Sequence, residues 1–343
     1  MRYSTRVLDG GSDQAISQAA ALLCAGEPVV IPTETVYGLA ADALDERAVM
    51  RIFEVKGRPA DNPLIVHIAR LEELDALTGE LPGGAIKLAK KFWPGPLTMI
   101  LPKSTAVPEI VTAGLDTVAV RMPSHPVALA LIRTAGRVLA APSANLSGRP
   151  SPTTADHCFE DLNGLVPLIL DGGPCDVGVE STVVDLTGDI PRILRPGAVT
   201  PAQIKAELGS VVIDPAVCNQ PDPSLPVASP GVKHTHYRPK AEVVVLNGRW
   251  ENCERFLAGQ RRDGVWGLVF EQEMQSCPIP ALSLGPRESP QAHAKLLFLR
   301  LRQLDDMGAK LIYARPPEQD GIGLAVYNRL IRAAGFNEMT IDG

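Results

Sequence analysis

The stretch Phe53-Glu-Val-Lys-Gly-Arg-Pro-Ala-Asp-Asn-Pro-Leu-Ile-Val-His67 predicts a helix that gives way to a buried strand. The preceding run, residues 45–55, has apolar residues at helical spacing and an aspartate suited to the N-cap. Gly57 is expected to end the helix, and two prolines beyond it prevent the helix from resuming. Lys56 and Arg58 are therefore predicted to lie in a loop beside a strand end, where an anion could bind. On this segment alone, a solvated surface pair is the simpler interpretation.

Length and composition predict a globular protein of two domains. The chain has 343 residues, of which 45% are hydrophobic and 21% charged, and this fits neither disorder nor a fibrous repeat. The net charge is −6, and the acidic excess lies before Lys240, whereas a constitutive RNA binder is expected to have a basic face. Six cysteines include no Cys-x-x-Cys pair, which gives no support for a zinc site. Without a bilayer-length apolar run or a signal peptide, a cytoplasmic location and no membrane contact are expected.

Three further segments combine polar side chains with strand ends. Residues 32–39 are rich in hydroxyls, which could surround a polar ligand or satisfy nearby backbone groups. Residues 137–154 pass from an apolar strand into a loop of Ser, Asn, Gly and Pro, which suits either phosphate contact or an exposed turn. The alternating strand at 117–123 carries Arg121 among residues expected to be buried. This arginine needs an anion, and a ligand or a structural salt bridge would serve equally.

The C-terminal third predicts a second, smaller domain. From residue 242 onward strands and helices alternate, which indicates a small α/β domain with a largely parallel, Rossmann-like sheet. We predict a catalytic domain at 1–209, a linker at 210–239 and the small domain at 240–343. The linker contains Lys233, His234, His236, Tyr237 and Arg238. This composition exceeds what a passive spacer needs, so we expect the linker to act as a lid over the first domain.

Four motifs together closely resemble the threonylcarbamoyl-AMP synthases in their long, two-domain form. They are Thr33-Glu-Thr-Val-Tyr-Gly-Leu39, Lys56-Gly-Arg58 with Asn62-Pro-Leu64, Pro142-Ser-Ala-Asn145, and His234-x-His-Tyr237. The resemblance covers nearly the whole chain. It implies an α/β fold in which the first domain is YrdC-like, with a twisted mixed sheet and flanking helices around a concave cavity.

The resemblance also implies site residues, carried over position by position. Those expected to bind L-threonine are Thr35, His67, Arg121, Ala141 and Ser181. Those expected to bind ATP are Arg58, Asn62, Thr117, Ser143, Ser151, Arg195 and Tyr237. Lys56 and Arg58 would supply catalytic positive charge. Mg²⁺ would be held by the ATP phosphates, with no protein ligand.

The implied activity is that of a nucleotidyltransferase. L-threonine, bicarbonate or CO₂, and ATP would yield threonylcarbamoyl-AMP and pyrophosphate, for N6-threonylcarbamoyladenosine in tRNA. Transient contact with the threonylcarbamoyl-transferase machinery and weak contact with tRNA are implied as well. The alternative is a double-stranded RNA- or tRNA-binding, or ribosome-maturation, module, against which the acidic balance argues.

Overall fold

The computed structural model describes residues 3–220 and 237–342, which divide into two compact units. The first comprises residues 3–147 and 151–217, and the second comprises residues 148–150, 218–220 and 237–342. Lys233, His234 and His236 lie outside the described residues. The lid and the domain boundaries therefore stay predictions.

The first unit is built on a mixed sheet of eleven strands. Its elements are β1 (Arg6–Asp9), α1 (Asp13–Cys24), β2 (Val29–Ile31), β3 (Gly38–Asp42), α2 (Glu46–Lys56), β4 (Ile65–His67), α3 (Leu74–Leu77), α4 (Ala85–Phe92), β5 (Leu97–Pro102), α5 (Glu109–Thr112), β6 (Thr117–Arg121), α6 (Pro126–Ala135), β7 (Leu139–Ala140), α7 (Ala155–Leu162), β8 (Leu168–Asp171), β9 (Thr182–Asp185), β10 (Arg192–Arg195), α8 (Pro201–Leu208) and β11 (Val212–Ile213). The strand order is β1-β8-β2-β3-β7-β4-β6-β5-β9-β10-β11. This arrangement confirms the predicted mixed sheet with flanking helices.

Local signals determine where α2 begins and ends. The side chain of Asp45 accepts a hydrogen bond from the backbone N–H of Arg47 at 2.9 Å, as an N-cap should. Gly57 adopts the left-handed conformation, with φ 58° and ψ 37°, which a residue without Cβ tolerates at a helix end. The predicted start and stop of this helix are confirmed.

Two apolar clusters cover the faces of this sheet. The larger joins α2 and α4 to one side of the central strands and includes Ile52, Val66 and Val120. The second packs α1 and α6 against β2 and β8 and includes Leu23 and Leu131. Within the described ranges, no helix is both long and apolar enough to cross a bilayer.

The second unit is a five-stranded sheet with helices. Its elements are β12 (Glu242–Asn247), α9 (Trp250–Ala258), β13 (Val265–Val269), β14 (Ala281–Ser283), α10 (Pro290–Asp306), β15 (Leu311–Ala314), α11 (Gly323–Ala333) and β16 (Glu338–Thr340). The strand order is β14-β13-β15-β12-β16, and every neighbouring pair is parallel. The predicted parallel sheet is confirmed, with β14 and β16 as additional short edge strands.

Candidate active site

One face of the neighbouring strands β4, β6, β5 and β9 forms the base of the candidate site. Because side chains alternate along a strand, every second residue points away from the larger core, which holds Val66 and Val120. On this second face lies a small separate apolar cluster, which we call the apolar floor. It consists of Ile65, Ile100, Ala119 and Val183.

A polar group lies at one end of the apolar floor. His67, Arg121 and Thr98 are in register on three adjacent strands, so their side chains share the face of the floor. The Nη1 of Arg121 donates to the hydroxyl of Thr35 at 2.8 Å, and its Nε donates to the carbonyl of Gly95 at 3.4 Å. The fold thus brings together Thr35, His67 and Arg121, three of the residues predicted to bind threonine.

Arg121 has a protein anion as its partner. Its Nη2 lies 2.8 Å from Oε1 of Glu34, and the two side chains are only 4% and 7% exposed. Burial is the largest single influence on the pKa of Glu34 and would raise it, but the charge of Arg121, together with hydrogen bonds from Arg121 and from the backbone, outweighs burial and the pKa is lowered. Of the two partners that the sequence allowed for Arg121, a ligand or a structural salt bridge, the salt bridge is therefore present. It leaves the Nη1 edge of Arg121 directed at Thr35.

His67 is held neutral. Burial and the neighbouring charge of Arg121 lower its pKa to about 3. Its Nδ1 lies 3.2 Å from the carbonyl oxygen of Ile65, and a carbonyl can only accept, so Nδ1 carries the proton in that hydrogen bond. A neutral imidazole beside the arginine adds hydrogen-bonding capacity without adding a second positive charge.

The depressed pKa of His67 predicts a contribution to acid unfolding. In the unfolded chain a histidine takes up a proton below about pH 6.5, whereas folded His67 stays neutral until about pH 3. The unfolded state therefore binds the extra proton, and stability falls as pH falls through this window. In His67→Asn, we expect the slope of unfolding free energy against pH to be smaller by up to about 1.4 kcal/mol per pH unit. Equal slopes in urea titrations of both proteins would contradict this expectation.

Ser181 and Arg195 adjoin the same polar end. The hydroxyl of Ser181 lies 2.7 Å from that of Thr98, and Nη2 and Nε of Arg195 donate to the hydroxyl and carbonyl oxygens of Ser181, both at 3.0 Å. Strand β10 has a bulge between Ile193 and Arg195, which sets Arg195 opposite Val183 of the floor. A bulge redirects a side chain in this way. Arg195, predicted to bind ATP, thus lies against Ser181, predicted to bind threonine.

Most of the other predicted ATP residues lie toward the opposite end of the central strands. Parallel β4 and β6 pair Ile65 with Ala119, so Asn62, just before β4, and Thr117, at the start of β6, lie toward the same end of these strands. Strand β7 runs antiparallel to β4, so Ser143 beyond its end returns to the same region. Thr117 and Arg121 are four strand residues apart, or about 13 Å.

Arg58 belongs to this second group. Its Nη2 donates to the carbonyl oxygens of Asn62 at 3.3 Å and Pro63 at 3.1 Å. Asn62 is buried, and its side-chain oxygen has no hydrogen-bond donor among the described residues. Such an oxygen is costly unless a ligand or water supplies a donor.

The predicted position of Lys56 was wrong. Lys56 is the last residue of α2 rather than a loop residue, and it is 3% exposed. Its ammonium donates to the backbone carbonyls of Ser143 and Asn145. Burial and the charge of Arg58 lower its pKa well below the usual value. Helix α2 extends through Lys56, one residue further than predicted, and Gly57 caps it. Lys56 is therefore turned inward, where its ammonium holds the loop that contains Ser143 and Asn145.

The remaining predicted residues have separate surroundings. The backbone N–H of Ala141 donates to the carbonyl oxygen of Ile65 at 3.0 Å, which fixes the backbone of Ala141 beside the apolar floor. The hydroxyl of Ser151 donates to the carboxylate of Glu180. Tyr237 lies in the second unit, where its ring centroid is 5.3 Å from that of Phe298.

The structure also places three residues in the site that the sequence analysis missed. Glu34, Thr98 and Glu180 are buried and contact Arg121, Ser181 and Ser151 respectively. Glu34 could have been noticed, because it stands inside the Thr33–Leu39 motif.

Comparisons with known proteins identify the family of this chain. Residues 21–197 match the family model Sua5_yciO_yrdC, described as "Telomere recombination", and residues 199–335 match the model "Threonylcarbamoyl-AMP synthase, C-terminal domain". The chain is 48% identical to the threonylcarbamoyl-AMP synthase of Pyrococcus abyssi over 93% of both proteins, and 47% identical to that of Bacillus subtilis over 94% of both. A crystal structure of P. abyssi Sua5 complexed with L-threonine aligns with a TM-score of 0.89 at 44% identity and covers 99% of both chains. The chain therefore belongs to the threonylcarbamoyl-AMP synthase family, as its motifs indicated.

Proposed function

We propose that this chain synthesises threonylcarbamoyl-AMP and pyrophosphate from L-threonine, bicarbonate or CO₂, and ATP. The neutral threonine amine adds to CO₂, which bicarbonate supplies by taking up a proton and losing water; the new C–N bond gives a carbamate, and the amine releases a proton to solvent. A carbamate oxygen then attacks the α-phosphorus of ATP, the new P–O bond forms, and the bond to pyrophosphate breaks. The observation that carries the proposal is the buried polar end around Arg121, separated by the apolar floor from the group around Arg58, in a chain of this family.

The polar end suits an amino acid. The Nη1 edge of Arg121 and the guanidinium of Arg195 can pair with the threonine carboxylate or the carbamate, because a planar guanidinium matches these oxygens. The hydroxyls of Thr35 and Ser181 supply neutral donors and acceptors. The apolar floor offers a surface on which the threonine methyl can pack.

The opposite group suits the nucleotide. The orphaned oxygen of Asn62 can accept from an N–H of the adenine base, and the hydroxyls of Thr117 and Ser143 can donate to ribose or phosphate. Arg58 is the cation we assign to the developing charge during the displacement. Ser151 and Tyr237 also stay proposed ATP ligands. Catalysis then rests on positioning and charge neutralisation, without a covalent nucleophile from the protein.

Two further features follow from the proposed chemistry. Mg²⁺ would be held by the ATP phosphates, with no protein ligand, and would supply positive charge there. The carbamate and the mixed anhydride both react with water, so exclusion of water must accompany the reaction. For the same reason we propose that the product passes promptly to a transferase that modifies tRNA, with at most weak contact of this chain with tRNA itself.

The proposal predicts which substrates release pyrophosphate. With ATP and Mg²⁺, release should require both threonine and bicarbonate. Serine should be a poorer substrate, since it lacks a methyl group worth roughly 1 kcal/mol in a packed pocket. A coupled pyrophosphate assay that omits each substrate in turn gives the measurement. Equal rates without any amino acid would contradict the proposed function.

A further inference from the structure

A pocket distinct from the candidate active site lies in the second unit, at the carboxyl ends of its parallel strands. Its volume is about 670 Å³, and residues following β12, β13 and β15 line it, among them Gly248, Gln272 and Arg315. An adjoining cavity of about 350 Å³ shares Gly248, Arg287 and Arg315. A pocket of a few hundred Å³ is the usual size of a small-molecule site.

The topology places this pocket at a switch point. Strands β15 and β12 are neighbours at the centre of the sheet. From β12 the chain crosses over β15 to reach β13, and from β15 it crosses over β12 to reach β16 on the other side. Because parallel crossovers are right-handed, these two connections leave on opposite faces of the sheet. The crevice that opens between two such strands, outside their carboxyl ends, is where open α/β sheets bind ligands.

Arg315 gives this crevice a fixed frame. It is 4% exposed, and it donates to the carbonyls of Leu246 at 2.6 Å and Gly248 at 2.9 Å. Its Nε also lies 3.3 Å from the carboxylate of Glu273. The guanidinium of Arg315 therefore links the end of β12 to the segment after β13. Its acidic partner, Glu273, is buried with it.

Arg287 differs from Arg315 because it keeps donors for a ligand. Its side chain is 42% exposed, its Nη2 lies 2.5 Å from Glu273, and its guanidinium carbon is 4.6 Å from the Phe270 ring centroid. Among the described residues, these contacts occupy one nitrogen and one face of the guanidinium. Stacking on the ring and the ion pair hold it in place, so its other edge is pre-oriented along the pocket.

We propose that this pocket binds a small phosphate-bearing ligand, with Arg287 as its principal contact. Three arginines line it, Arg249, Arg287 and Arg315, against the carboxylates of Glu251 and Glu273, with which they pair. One positive charge is left in excess in this pocket, which favours an anion, and Glu318 lies in the adjoining cavity. The guanidinium edge matches phosphate oxygens, and the volume leaves room for more than a bare carboxylate. This site is separate from the proposed synthase chemistry, which involves none of these residues.

Trp250 gives a local reporter, because it lines the pocket. The full-length protein would be titrated with inorganic pyrophosphate, and separately with AMP, while emission is followed at constant ionic strength. Trp250→Phe identifies the part of the signal that comes from this pocket. Pyrophosphate alone tests for the phosphate group, and tighter binding of AMP would identify a nucleotide as the ligand.

We expect a saturable change in Trp250 emission whose dissociation constant rises at least about tenfold in Arg287→Ala and in Arg287→Gln. Arg262→Ala is the matched control, since Arg262 is an exposed arginine of the same unit outside the pocket. It should bind like the parent protein. Threonine-dependent pyrophosphate release should be unchanged in all three arginine variants, so a failure of the synthase proposal would be seen independently. The absence of a saturable Trp250 signal, or a dissociation constant in both Arg287 variants equal to that of the parent protein, would overturn the proposal.

Discussion

Arg121→Met is expected to lower the free energy of unfolding by about 3–5 kcal/mol, the usual cost of leaving one partner of a buried ion pair alone. Glu34, 7% exposed, would keep a carboxylate in a buried position without its counter-ion. Synthase activity should also be lost, because the same guanidinium is our proposed contact for threonine. Urea unfolding followed by circular dichroism, together with the pyrophosphate assay, measures the two effects on one protein.

The double variant Glu34→Gln/Arg121→Met separates these two roles. With both charges removed, most of the lost stability should return, since no uncompensated charge remains. Activity should not return. Arg137→Met is a surface control, because Arg137 is 53% exposed and pairs with Asp42 at 3.3 Å, and such pairs contribute at most about 1 kcal/mol. A double variant that regained activity would exclude Arg121 from substrate binding.

Lys56→Met and Arg58→Gln are expected to lower turnover at least about tenfold for different reasons. Loss of Lys56 removes the donor from the part-buried carbonyl of Ser143 and the buried carbonyl of Asn145 and should cost about 2 kcal/mol or more of stability. The loop that carries Ser143 would then shift. Arg58 is half-buried and lies where we place phosphate, so its loss should affect turnover with little change in stability.

Thermal unfolding and steady-state kinetics on both variants distinguish these causes. If Lys56→Met unfolds like the parent protein, the two carbonyls do not depend on its ammonium. If Arg58→Gln turns over at the parental rate, Arg58 does not neutralise charge on the reacting phosphates.

The parts of this structure that were predictable are those with local causes. The ends of α2 follow from Asp45 and Gly57, and the small domain's sheet follows from its strand–helix alternation. The partners of Lys56 were not predictable, because Ser143 and Asn145 lie 87 and 89 residues further along the chain.

Long-range pairing also explains the other differences between sequence and structure. The need of Arg121 for an anion was visible in the sequence, but the choice between a ligand and Glu34 depends on how the segment before β3 folds back over β6. The bulge that redirects Arg195 depends on the pairing of β10 with β9. No local pattern of residues encodes either arrangement.

The edge of the large sheet has a consequence for the order in which the chain can fold. In the part of the chain that the structure describes, strand β1 pairs with β8 alone, through Arg6 with Leu168 to Asp9 with Asp171, and β8 also separates β1 from β2. During synthesis, β1 must therefore wait until β8 has been made, which takes on the order of ten seconds at usual elongation rates. Such distant pairing is slow to form. Strand β1 is thus expected to be among the last to join the sheet, although it is synthesised before the other ten strands of that sheet.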